Sequence, residues 1–124
     1  MRILHVVATL APTSGGPTQV LKSLATTQAE AGHDVTVATT DRGNPVSERL
    51  PADHFKTFYP EGVRLEAFPV DFAPLLVSHG FARWVHANVQ TFDLVHVHGL
   101  YRFPPTYAAL QARKQGVPCI IRPH

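Results

Sequence analysis

The sequence predicts an α/β fold, an open and mostly parallel β-sheet with helices on both faces. Short apolar runs alternate with longer amphipathic stretches in the rhythm β-α-β-loop-β-α-β-α-β. Two of the amphipathic stretches stop at Gly32 and Gly116, as helices do when a left-handed residue closes them. The first run is apolar almost without interruption, the pattern of a strand covered on both sides.

Each element follows from its residues. Residues 2–9 read as the first strand. Gly16 caps the helix that follows, and Pro17 takes its first position, where a missing N–H costs nothing. Val20, Leu21, Leu24 and Ala25 recur at helical spacing, and that helix runs to Ala31. Val35 to Thr40 is rich in β-branched residues and forms a second strand, completing a βαβ unit with a right-handed crossover. Asp41 to Gly62 is a polar loop containing Pro45, Pro51 and Pro60, with helical turns expected over 46–50 and 52–58. Val63 to Phe68 alternates as a third strand. From Pro74 to Gln90, Leu76, Val77, Phe81, Trp84, Val85 and Val89 form a helical stripe, which packs on the sheet in preference to lying in a membrane interface. Asp93 to His98 is a fourth strand ended by Gly99, Pro104 to Gln115 a helix, and Val117 to Arg122 a fifth strand.

At 124 residues the chain is one domain, 1–124, and its hydrophobic content of 44% with 16% charged residues is that of a globular protein. A formal charge of +2, without a Lys/Arg cluster or interleaved aromatics, gives no support to a nucleic-acid partner, and none is expected. Cys119 is the single cysteine, so no disulfide framework exists; it reads as a small buried hydrophobe in a reducing cytoplasm. No stretch nears the ~20 apolar residues of a membrane span, and the first run lacks a signal-type core.

Ligands of such sheets bind beyond the carboxyl ends of the strands. Thr9–Pro17, Thr40–Arg42, His98–Tyr101 and Arg122–His124 converge there. Ser14-Gly15-Gly16-Pro17 stands out, because two glycines let a ligand approach the backbone and the next helix presents unpaired N–H groups. That suits a diphosphate; tight packing of strand on helix explains the same glycines equally well. The three-glycine dinucleotide fingerprint fails and no P-loop occurs, so nicotinamide, flavin and P-loop readings fall away. His96 and His98 share one face of a strand. With His124 they pose a zinc hypothesis, but no carboxylate or cysteine accompanies them and the expectation is no metal. His96 is then a core histidine and His98 a ligand contact, while His5 and His33 are structural. Arg122 is placed to face a phosphate, and His124 to hydrogen-bond a substrate hydroxyl. The expected substrate-binding residues are therefore Gly15, Gly16, Pro17, Thr18, His98 and Arg122, with His124 catalytic.

Arg2-Ile3-Leu4-His5-Val6-Val7, the Gly15-Gly16 turn, Ala31-Gly32-His33-Asp34-Val35-Thr36-Val37, Asp93-Leu94-Val95-His96-Val97-His98-Gly99 and Gly116-Val117-Pro118 with Arg122-Pro123-His124 occur in this order. Together they resemble the N-terminal half of family-4 retaining glycosyltransferases of the GT-B fold, over essentially the whole chain. The resemblance implies a Rossmann-like, acceptor-side domain and front-side transfer of a hexose from a UDP- or GDP-hexose. The acceptor it implies is a lipid-linked or cell-envelope glycan, in polysaccharide biosynthesis. It places Gly15 and Gly16 by the donor diphosphate and His124 against the transferred sugar, with no tightly bound cofactor. Location would be cytoplasmic, with peripheral association at the inner membrane face. Such enzymes carry a second nucleotide-binding domain with an E-x7-E motif, which these residues do not include. The chain is thus expected to be an inactive fragment whose incomplete sheet edge favours self-association. A stand-alone phosphate- or nucleotide-binding module is the competing reading.

Overall fold

The first strand, β1 (Arg2–Val7), runs through the middle of a five-stranded sheet in this computed structural model. The structure describes residues 1–8, 16–41, 63–71, 76–99 and 102–122, with residues 16–20 described by their backbone alone. After β1 come α1 (Gly16–Glu30), β2 (Asp34–Thr40), β3 (Val63–Phe68), α2 (His79–Asn88) and a 3-10 turn, Val89–Thr91. The chain continues with β4 (Leu94–His98), α3 (Phe103–Gln115) and β5 (Cys119–Arg122). Strand order is β3-β2-β1-β4-β5, and every neighbouring pair is parallel. The α/β fold expected from the rhythm of the sequence is the fold observed.

Alternation along the strands divides the interior in two. Leu4 and Val6 of β1 join Ala38, Val95 and Val97 in a core covered by α2 and α3, which contribute Phe81, Val85, Ala108 and Ala112. Val7 points to the other face, where Val35, Val37, Val63 and Leu65 meet Leu21, Ala25 and Ala29 of α1. Helices therefore lie on both faces.

Local chemistry sets the element ends. Gly32, at φ +94°, turns the chain after α1. Its N–H donates to the Ala29 carbonyl and the His33 N–H to the Gln28 carbonyl, the paired bonds of a Schellman motif. Gly116, at φ 76°, ends α3 with an N–H bonded to the Ala112 and Arg113 carbonyls. The sequence stripe begins α2 at Pro74, yet the helix starts at His79. Leu76 sits at φ 56°, outside helical space, and extended Ser78 caps the helix by accepting from the Phe81 N–H at 3.1 Å. The expected turns over 46–50 and 52–58 lie outside the described residues.

The α2 stripe packs on the sheet, as expected. Phe81, Val85 and Val89 are fully buried, and Phe68 meets the Phe81 ring edge-on at 5.7 Å. Among the described residues no helix is long and apolar enough to cross a membrane. Among the described residues Phe81 is the largest of the fully buried side chains. Phe81→Ala should cost about 3–5 kcal/mol of stability, measured as a lowered urea midpoint at constant m-value.

Candidate functional site at the carboxyl edge of the sheet

Because all strands are parallel, Val7, Thr40, His98 and Arg122 end on one edge. Strand order reverses between β1 and β4, which makes their carboxyl ends the crevice of the sheet. The Asp34 N–H bonds the Met1 carbonyl, so α1 finishes at the opposite edge and begins, at Gly16, towards this crevice. Gly99, at φ 81°, turns the chain away immediately after His98, and its N–H donates to the Arg122 carbonyl at 2.8 Å.

Registers align Val7, His98 and Arg122 in one row across β1, β4 and β5. The row lies on the α1 face, since Val7 belongs to that core. His98 is buried and Arg122 is exposed. The structure thus brings two of the expected binding residues together on one face of the rim. Gly16, Pro17 and Thr18 form the first turn of α1. Gly15 and His124 lie outside the described residues.

Behind His98 lies a feature that sequence reasoning missed. His5 of β1 stands opposite His96, and the rings of His5, His96 and His98 form one buried cluster. His5 Nε2 lies 2.7 Å from Gln28 Oε1, and His5 Nδ1 lies 3.1 Å from His98 Nε2. Gln28 follows Leu21 and Ala25 on the sheet-facing stripe of α1, a polar side chain where the spacing asks for an apolar one. The signal was present in the sequence. Leu4 and Val6 must face as Val95 and Val97 do, which turns His5 to the side of His96 and His98 once β1 and β4 are neighbours.

A ligand nitrogen from each of these histidines falls within 4.8 Å of the others, so the cluster has the composition of a metal site, with His5 where sequence reasoning placed His124. Geometry points elsewhere. Imidazole lone pairs lie in the ring plane, and the His96 and His98 rings stack at 4.3 Å with only 15° between planes, so their lone pairs do not converge on one ion. The facing nitrogens of His5 and His98 stand at hydrogen-bond distance. In this arrangement His5 is hydrogen-bonded to His98 and His96 stacks on His98.

Elsewhere, an apolar groove between α3 and β5 is lined by Ala109, Leu110, Val117, Cys119 and Ile121. It opens on the α3 side of the sheet, not on the histidine side. Cys119 is half-buried there rather than fully buried, and burial pushes its thiol up.

Burial lowers the pKa of His5 from 6.5 to about 4, against the opposing hydrogen bond to Gln28 and with a smaller lowering by His96. The unfolded chain therefore takes up this proton first. The contribution to stability is intact above the unfolded pKa of 6.5 and is lost as pH falls towards about 4. Its full size is roughly 3 kcal/mol. The urea midpoint should drop between pH 7 and pH 4.5, and the drop should shrink in His5→Phe. An equal drop in both proteins would remove His5 as its source.

No curated protein sequence matches the chain. Residues 15–124 match the family described as the glycosyl transferase 4-like domain, a span that takes in α1 and β2 to β5 and begins after β1. The chain belongs to the glycosyl transferase 4-like domain family.

Proposed function

We propose that the chain is the acceptor-side domain of a retaining glycosyltransferase that moves a hexose from a UDP- or GDP-hexose to a lipid-linked or cell-envelope glycan. The observation that carries this reading is the rim. Within a glycosyl transferase 4-like domain, the start of α1, the end of β4 and the end of β5 meet at the crevice where strand order reverses. The donor supplies a diphosphate and a ring of hydroxyls, and the rim offers a partner for each. Backbone N–H groups of Gly15 and Gly16, with the positive end of α1, meet the diphosphate. Exposed Arg122 adds a cation on the face it shares with His98. His124 orients the transferred hexose, and Pro17 and Thr18 border the same site.

Transfer in this reading is front-side and retains configuration. It requires a second domain with the E-x7-E motif to hold most of the nucleotide, and the activity is proposed for a protein that carries both. The work is done in the cytoplasm, at the inner membrane face where a lipid-linked acceptor is met. Ile120 and Ile121 of edge strand β5 are about half exposed, which supports self-association or docking along that edge.

In a two-domain protein carrying this sequence, His124→Ala should lower kcat about 100-fold or more while leaving the melting temperature unchanged. Arg122→Ala should raise KM for the nucleotide sugar. Unchanged turnover in His124→Ala would sink the assignment of that histidine, and an inverted product anomer in the proton NMR spectrum would sink retention. A stand-alone binding module instead predicts that the 124-residue chain melts higher with a nucleotide sugar and that the two-domain protein transfers nothing.

A further inference from the structure

The chain leaves β1 under a tie that depends on one side chain. Pairing of β1 with β2 reaches Val6 and Ala38. Two residues further along each strand, the Thr40 hydroxyl donates to the Ala8 carbonyl at 2.6 Å, across 32 positions of sequence. Thr40 is fully buried, and its β-branched side chain has few rotamers, so the hydroxyl is held where it is. The end of β2 is itself fixed from the far side. Thr40 pairs with Phe68, and the Asp41 N–H donates to the Phe68 carbonyl at 3.0 Å. Across the crevice, the chain leaving β4 is tied by the Gly99 N–H to the Arg122 carbonyl, a main-chain bond open to almost any sequence. The tie on β1 needs a hydroxyl. Thr39 is the contrast: it is fully buried on the face of Val35 and Val37, and its hydroxyl bonds nothing among the described residues.

We propose that Thr40 is a positioning residue, whose hydroxyl fixes the exit of the segment between β1 and α1 and so aims the Gly15 and Gly16 N–H groups at the donor diphosphate. The inference rests on the glycosyltransferase reading for the identity of the ligand. Ala8 opens the segment that carries Gly15 and rejoins the described fold at Gly16, the first residue of α1. Its far end is anchored by Leu21 and Ala25 of α1, both fully buried against the sheet. Thr40 anchors the near end. With both ends set, the glycine N–H groups are placed before the donor arrives, and a cradle placed in advance loses least on binding. Hydrogen bonds to phosphate oxygens weaken steeply when the donor is displaced or turned, so an exit that wanders is felt at Gly15 and Gly16. Thr40 touches no substrate in this role and acts through the main chain of Ala8.

The hydrogen bond is read first, in the unaltered 124-residue chain. Proton NMR should resolve the Thr40 hydroxyl as a signal in slow exchange with water and close in space to the Ala8 backbone. A hydroxyl that exchanges as an exposed threonine does overturns the proposal. Thr40→Val, which keeps the shape and removes the donor, should move the amide signals of residues 8–18 and leave those of β3 to β5 in place. Thr40→Ser, which keeps the donor, should bring them back. In the two-domain protein, Thr40→Val should raise KM for the nucleotide sugar about fivefold while kcat changes by less than about twofold. Thr40→Ser should stay near the unaltered value, and Thr39→Val, which removes a hydroxyl without a partner, should change neither constant. A KM indifferent to Thr40→Val, or raised as much by Thr39→Val, overturns the positioning role and leaves the glycosyltransferase reading standing. A two-domain protein that transfers nothing, with the signals of residues 8–18 answering to Thr40 as stated, fails that reading instead.

Discussion

Everything in this molecule hangs on the parallel pairing of β1 with β2 on one side and β4 on the other. That arrangement makes β1 the strand whose alternation builds both cores, with Leu4 and Val6 on one face and His5 and Val7 on the other. It also sets the polarity of the molecule. At the amino edge, the Arg2 N–H donates to Asp93 Oδ2 at 2.7 Å, and its guanidinium approaches Asp34 and the Phe92 ring. These contacts are exposed and contribute little to stability. They tie the starts of β1, β2 and β4 together and leave the opposite edge for chemistry.

The architecture was legible because the apolar runs, the amphipathic stretches and the stops at Gly32 and Gly116 all point the same way. β3 was placed to the residue, and the other strands and helices, α2 aside, to within two positions at each end. The start of α2 was not legible, since Leu76 belongs to the apolar stripe and its left-handed backbone leaves no mark in the pattern. The rim was legible in part. Topology alone gathers His98 and Arg122, but whether a histidine is buried, and against what, depends on register. His5 read as structural for that reason. Its partners lie 23 and 93 residues away, one on a helix and one on a neighbouring strand. Nothing local to Arg2–Val7 reports them.

Three buried histidines on the α1 face of the sheet are a poor choice for stability alone. Each imidazole loses water on burial, and His5 loses its ready protonation as well. Valine or leucine at these positions would bury the same face without polar groups to satisfy. Hydrogen bonds among Gln28, His5 and His98 offset part of the cost and keep the rings in fixed orientations. The cluster ends at the crevice where sheets of this kind bind ligands, so the stability given up lies next to the edge proposed for chemistry.

The same histidines bear on how the sheet finds its pairing. A slip of β4 by one residue against β1 would turn Val95 and Val97 away from their core, and the alternation forbids it. A slip by two residues keeps every apolar side chain on its own face, and the alternation is blind to it. One such slip carries His98 beyond the reach of His5; the other sets His96 beside Ile3, an imidazole against an aliphatic chain. The native alignment sets His5 against both His96 and His98, and neither slip keeps both contacts. The polar cluster is thus a reading-frame mark between two central strands, distinguishing pairings that hydrophobic burial alone would leave nearly equal.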